Sequence, residues 1–243
     1  MKALLALLAA GKLGKVLLTG GTMILSVFAY ALLYGFWYAV GFVLLIFVHE
    51  MGHFIAARQR GLEVGAPTFI PFVGAWIELK DLPHDAETEA WIGLAGPLLG
   101  TLGALACYYA WRATDAPLML ALAYAGFFLN LFNLIPVSPF DGGRITAIIS
   151  PRVWLLGAPI LIGLFFFWQP SPLLILMAVL AAPQVWKAIK FDPAAPENQA
   201  YYSVELGKRL EYATYYLVLA GFLAVMSYEA HGTLEHMHAR RGV

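Results

Sequence analysis

Charge is scarce in this chain. Only 12% of its 243 residues are Asp, Glu, Lys or Arg, and 15 basic residues balance 15 acidic ones. A soluble domain carries about twice that share of charge. No basic cluster stands out, which excludes a nucleic-acid interface. Cysteine is nearly absent as well. Cys107 stands alone within an apolar run, so there is no disulfide framework and nothing that fixes a redox compartment. There is no internal repeat, no low-complexity tract, and no connection long enough for an inserted soluble domain; the longest runs from Lys187 to Glu211.

What remains is hydrophobic. The apolar share is 61%, and charge-free runs of 17 to 34 residues alternate with short charged patches, the pattern of a bundle of membrane helices. The expected fold is therefore an all-α membrane protein: a multi-spanning helical bundle of about six transmembrane helices, with a further C-terminal segment as the candidate for one more. From Val16 to Ala57 the ionisable residues are His49, Glu50 and His53 alone. A single helix of that length would extend about 63 Å, twice the hydrocarbon thickness, so two crossings are expected with a turn at Tyr34–Gly35. Ala90–Trp111 and Ala116–Phe140 follow as the third and fourth crossings. Val153–Trp186 reads as a helical hairpin split at Pro170-Ser171-Pro172. Tyr212–Tyr228 either spans or lies in the interface.

Residues 1–19, with Lys2, Lys12 and Lys15, suit an interfacial amphipathic segment. The core is then 20–190, and 191–243 is a C-terminal surface segment holding the possible last helix. Basic residues favour a cytoplasmic N-terminus, because Arg58, Arg60, Arg144, Arg152 and Lys187 then share its side and Arg112 faces the other. Leu62–Glu89, with Gly65, Pro67, Pro71, Gly74 and Pro83, does not read as a membrane helix. Its strand-like stretch Phe72–Leu79 predicts a small β hairpin or edge strand after the second helix, the plain alternative being a loop.

His49-Glu50-Met51-Gly52-His53 has the form H-E-x-x-H within a helix. Four residues is slightly more than one turn, so both imidazoles project from one face at the spacing that zinc needs. The Glu50 carboxylate can then reach a metal-bound water. Such residues are costly in a membrane helix unless they are paired, metal-bound or facing a cavity. A catalytic zinc takes a third protein ligand and leaves one position for water. His84 lies in an exposed connection, and His231, His236 and His238 lie in the tail. Asp141, in Asn133-Leu-Ile-Pro-Val-Ser-Pro-Phe-Asp141-Gly-Gly-Arg144, falls at the membrane level of His53. It either caps a helix over 142–150 or supplies the third ligand. Asn130 and Asn133 share one helix face, and Asn130 is expected to hydrogen-bond between helices.

The two motifs together, with Gly96-Pro97 in the third crossing, resemble the site-2 protease family of membrane-embedded zinc proteases over about residues 20–190. The resemblance implies that His49, His53 and Asp141 bind Zn2+ and that Glu50 is the catalytic acid/base. It also implies that Asn133 contacts the substrate backbone or the developing oxyanion. Phe140 stands where the family often has Leu. Many members also carry a PDZ or nucleotide-sensing domain, for which the chain has no room. The implied partners are a membrane-anchored protein substrate and the lipid bilayer. The implied location is a cell membrane, with the site opening to the cytoplasm. Two rivals belong to other classes. A catalytically silent helix-binding relative would lack a ligand or the base, and none is missing. A metal transporter would need ionisable residues along several helices, and they are not there.

Overall fold

The computed structural model describes residues 2–76, 81–168 and 171–241. Helix α1 runs unbroken through Lys2–Tyr34 and α2 through Phe36–Gln59. The turn falls at Gly35, whose φ of 84° is in the left-handed region that glycine enters without steric cost. A hairpin follows, formed by β1 (Thr68–Ile70) and β2 (Gly74–Trp76) in antiparallel register, Phe69 opposite Ala75. Then come α3 (Ala86–Thr114), α4 (Pro117–Asn133) and the short α5 (Asp141–Ala147). A broken helix occupies Pro151–Trp168, with α6 as its Gly157–Gly163 portion, and is followed by α7 (Pro172–Ile189), α8 (Pro196–Tyr201) and α9 (Leu206–Arg241).

Among the described residues five helices are long and apolar enough to cross a bilayer: 17–34 of α1, then α2, α3, α7 and 206–237 of α9. Shorter apolar helices occupy Pro117–Asn133 and Pro151–Phe167. This is a helical membrane protein. Its outer surface agrees, since Leu32, Phe167, Val179, Leu217 and Val225 are exposed on faces that would be an aggregation liability in water.

Several expectations are refined. The fourth crossing ends at Asn133 rather than Phe140, because prolines at 136 and 139 cannot continue a helix. The extended stretch is a hairpin, but Phe72 and Val73 form its turn, Phe72 with φ 64°. Its first strand precedes Pro71. Residues 77–79 of the expected strand lie outside the described residues, as does Pro170 in the split between the paired helices. The C-terminal helix is twice the expected length. Its Tyr212, Leu219, Leu223 and Ala230 are buried in one cluster with Leu94 and Ala104 of α3 and Leu120 and Phe127 of α4.

Helices α2, α3 and α4 form the centre. Their close approach depends on small residues. A Cβ at Gly52 of α2 would strike the Ala95 carbonyl of α3, one at Gly96 the His53 imidazole, and one at Gly100 the Asn130 amide. The hairpin lies against α1, where Thr19 Oγ1 donates to the Pro67 carbonyl at 2.7 Å. The Phe69 N–H reaches Thr22 Oγ1 at 3.2 Å and the Phe72 N–H reaches Tyr30 Oη at 3.1 Å.

Candidate metal centre

His49, Glu50 and His53 are buried in α2, and Asp141 is buried beside them as the first residue of α5, each no more than 8% exposed. Asp141 Oδ2 lies 3.2 Å from His49 Nε2 and 3.2 Å from His53 Nε2, and the two Nε2 atoms are 3.1 Å apart. The ligand atoms of a tetrahedral zinc, each about 2.0–2.1 Å from the metal, stand about 3.3–3.4 Å apart. The triangle therefore has nearly the dimensions of one face of such a site.

The partners of the two rings decide which nitrogens can face an ion. His53 Nδ1 is 2.7 Å from the Ile92 carbonyl, which can only accept, so Nδ1 carries a proton, and in the neutral ring Nε2 is a lone pair. His49 Nδ1 is 2.8 Å from Asn130 Oδ1. The Asn130 amide nitrogen donates to the Gly126 carbonyl at 2.7 Å, which fixes the amide so that its oxygen faces His49. His49 Nε2 is therefore a lone pair too. With both rings neutral, two lone pairs and a carboxylate oxygen converge there, an arrangement that a buried cation satisfies. Both histidines have an acceptor behind them, as metal-ligating histidines usually do. The residues present fit a zinc ion.

Asp141 does not act as a helix cap. The cap position of α5 is Phe140, without a side-chain cap bond, and the carboxylate is turned to the imidazoles. Glu50 completes the cluster: a carboxylate oxygen lies within 4.8 Å of a ring nitrogen of each histidine. Among the described residues the one cluster of His, Cys, Asp and Glu side chains that could hold an ion is this one, around His49, Glu50 and His53, with Asp141 against both histidines. In the tail, His231 instead stacks on Tyr124 at 5.2 Å and pairs with Glu235 at 3.3 Å.

A cavity of about 590 Å³ opens over the triangle. Its walls include Phe72 to Ala75 of the hairpin, Asn133 of α4, Arg144 of α5, and Leu173, Met177 and Leu180 of α7. Asn133 uses one amide N–H on its own helix, to the Leu129 carbonyl at 3.1 Å, and keeps a second. The residues that sequence reasoning missed are supports. Asn130 does bond between helices, as expected, but its partner is His49 of the candidate centre. Its place one turn before Asn133 was the available signal. The Ile92 carbonyl left none, because backbone groups have no letter of their own.

Residues 37–116 match the family model described as Peptidase family M50. A protein of Methanocaldococcus jannaschii named as a zinc metalloprotease is 33% identical over 126 residues, covering 48% of this chain and 36% of that one. A protein of Mycobacterium tuberculosis named as a candidate zinc metalloprotease, Rip3, is 35% identical over 118 residues, with coverages of 44% and 29%. A candidate chloroplast zinc metalloprotease of Arabidopsis thaliana, EGY1, is 26% identical over 155 residues, covering 44% and 28%. The chain spans about a third of the length of these curated relatives. The resemblance carried by the motifs therefore holds over residues 37–116, which are similar to Peptidase family M50, and zinc agrees with the relatives' names. The matched residues include His49, Glu50 and His53 but end before Asn133 and Asp141.

Proposed function

We propose that this chain is an intramembrane zinc metalloprotease that hydrolyses peptide bonds in or near the transmembrane segments of membrane-anchored proteins. The observation that carries the reading is the geometry: two imidazoles whose Nδ1 atoms are held by acceptors behind them and whose Nε2 atoms face a buried carboxylate. His49, His53 and Asp141 would hold the ion. Bound there, zinc supplies a Lewis acid and a water acidified toward neutrality. Glu50 accepts the proton of the attacking water and passes it to the leaving amine. Asn133 turns its spare amide N–H toward the oxyanion that develops at the scissile carbonyl.

The hairpin supplies the substrate platform. The Phe69 N–H points away from β2, toward Thr22. In an antiparallel pair, residues directly opposite each other share that orientation. The N–H and C=O of Ala75 therefore face outward from β2, and Ala75 lines the cavity. An extended substrate strand would pair there. With the N-terminus cytoplasmic, the cavity opens toward the cytoplasm and draws water from that side of a cell membrane. The test is Glu50→Gln in detergent or proteoliposomes. Zinc content and folding should match the unsubstituted protein while cleavage of a membrane substrate disappears. Cleavage at the normal rate would refute the mechanism.

A further inference from the structure

We infer that α9 is the strut that positions Asp141, acting through Tyr216 and Arg209; the inference rests on the zinc reading above. Asp141 follows a seven-residue link from the end of α4 and begins a helix of only seven residues. Neither is long enough to fix a carboxylate against two histidines on another helix. Both ends of this segment are held from α9. Tyr216 Oη donates to the Leu134 carbonyl at 2.7 Å. That carbonyl is one of those left without a partner where α4 ends, and it lies directly against Gly142, where a Cβ would fall on it. The hydroxyl thus holds the atom on which the neighbour of Asp141 rests.

At the other end Arg209 Nη1 donates to the Ile149 carbonyl at 2.9 Å, just beyond α5. The same guanidinium reaches the carbonyls of Tyr202 at 2.8 Å and Val204 at 3.1 Å. A cation in the first turn of a helix opposes the helix dipole, so Arg209 is placed for these carbonyls rather than for α9 itself. Trp154 Nε1 closes the segment from a third side, donating to the Gly143 carbonyl at 2.8 Å. Tyr216 and Arg209 touch neither the histidines nor Glu50. They are positioning residues for one ligand.

The test is zinc affinity, measured by competition with a chromogenic chelator on the full chain. Tyr216→Phe keeps the ring and removes the hydroxyl, and Arg209→Gln removes the cation. Groups bonded directly to a ligand are worth 10–100-fold in metal affinity; these two act on Asp141 through the backbone, so each should lower zinc affinity severalfold, up to about tenfold. Tyr215→Phe, whose hydroxyl meets Glu211 at 2.8 Å on an exposed face, should change nothing. The same substitutions are then made with Asp141→Ala, where a strut acting on Asp141 has nothing left to hold and no further loss is expected. Undiminished affinity in both single variants would overturn the inference. So would an equal loss with and without Asp141, which would mark general loosening. Failure of the zinc reading itself is seen separately, as a protein with no zinc or an Asp141→Ala protein that binds zinc normally.

Discussion

Asn130→Ala probes the site where a single side chain decides a tautomer. His49 is 4% exposed, and its Nδ1–H has Asn130 Oδ1 as acceptor at 2.8 Å. Removing that acceptor strands a buried donor, a cost of about 1–3 kcal/mol if the ring stays as it is. The ring has an escape. It can move its proton to Nε2, where Asp141 Oδ2 waits at 3.2 Å. Without metal the variant therefore relaxes and should lose less than about 1 kcal/mol of stability. Zinc binding then has to reverse the relaxation, since it needs Nε2 free. The whole penalty reappears there, as a loss of about 10–100-fold in affinity, or about 1.4–2.7 kcal/mol.

The assay is chelator competition beside thermal unfolding of the metal-free protein. Asn130→Asp keeps an acceptor for Nδ1–H and should bind zinc more tightly than the alanine variant. Unchanged zinc affinity in Asn130→Ala, or a loss confined to metal-free stability, would refute the tautomer argument.

Two further outcomes follow from close contacts. Gly96→Ala places a methyl on the His53 imidazole; because the adjoining helices cannot separate without breaking the centre, zinc content should fall by more than half while the helical circular-dichroism signal persists. Ala75→Pro removes the outward N–H of β2 and spares the bonds of the hairpin, so turnover of a membrane-anchored substrate should drop severalfold with zinc content normal. A short soluble peptide that is already extended should suffer less.

Much of the centre was legible because polar residues are so costly in a bilayer that each must be explained. His49, Glu50 and His53 declare their shared face by spacing alone. Asp141 stands out as a carboxylate at the right membrane level, although on sequence a helix cap was the alternative. Only the geometry, with Phe140 in the cap position and Oδ2 turned to both imidazoles, separates the two roles. The turn at Gly35 was readable from chain length against bilayer thickness. What escaped was relational. Thr68, Phe69 and Ile70 are each strand-favouring residues, but three residues carry no period and did not stand out beside the longer stretch after Pro71. The reach of α9 was hidden too: Lys208, Arg209, Glu211 and Glu229 lower hydropathy at its ends without ending a helix. Its buried Tyr212, Leu223 and Ala230 become core positions only once α4 is beside them.

The shortness of β2 has a consequence for substrate choice on the proposed reading. Of its three residues only Ala75 turns both backbone groups outward, so the hairpin can satisfy about two of the groups freed when a substrate helix opens. Asn133 adds one donor at the scissile carbonyl. Opening a full turn frees about four carbonyls and as many N–H groups, and each left unpaired in hydrocarbon costs several kcal/mol. The platform cannot offset that for a strong helix. It suffices where the substrate helix is already interrupted or where water reaches it at the membrane edge. A substrate segment bearing Pro within a turn of the scissile bond should therefore be cut at least about tenfold faster than the same segment with Leu there, a difference of about 1.4 kcal/mol and within the roughly 3 kcal/mol that Pro costs a helix. The comparison is made in proteoliposomes, with both substrates inserted in equal amount. Equal rates would mean that the enzyme itself opens the helix, and the edge of β2 would then be too small a device to explain it.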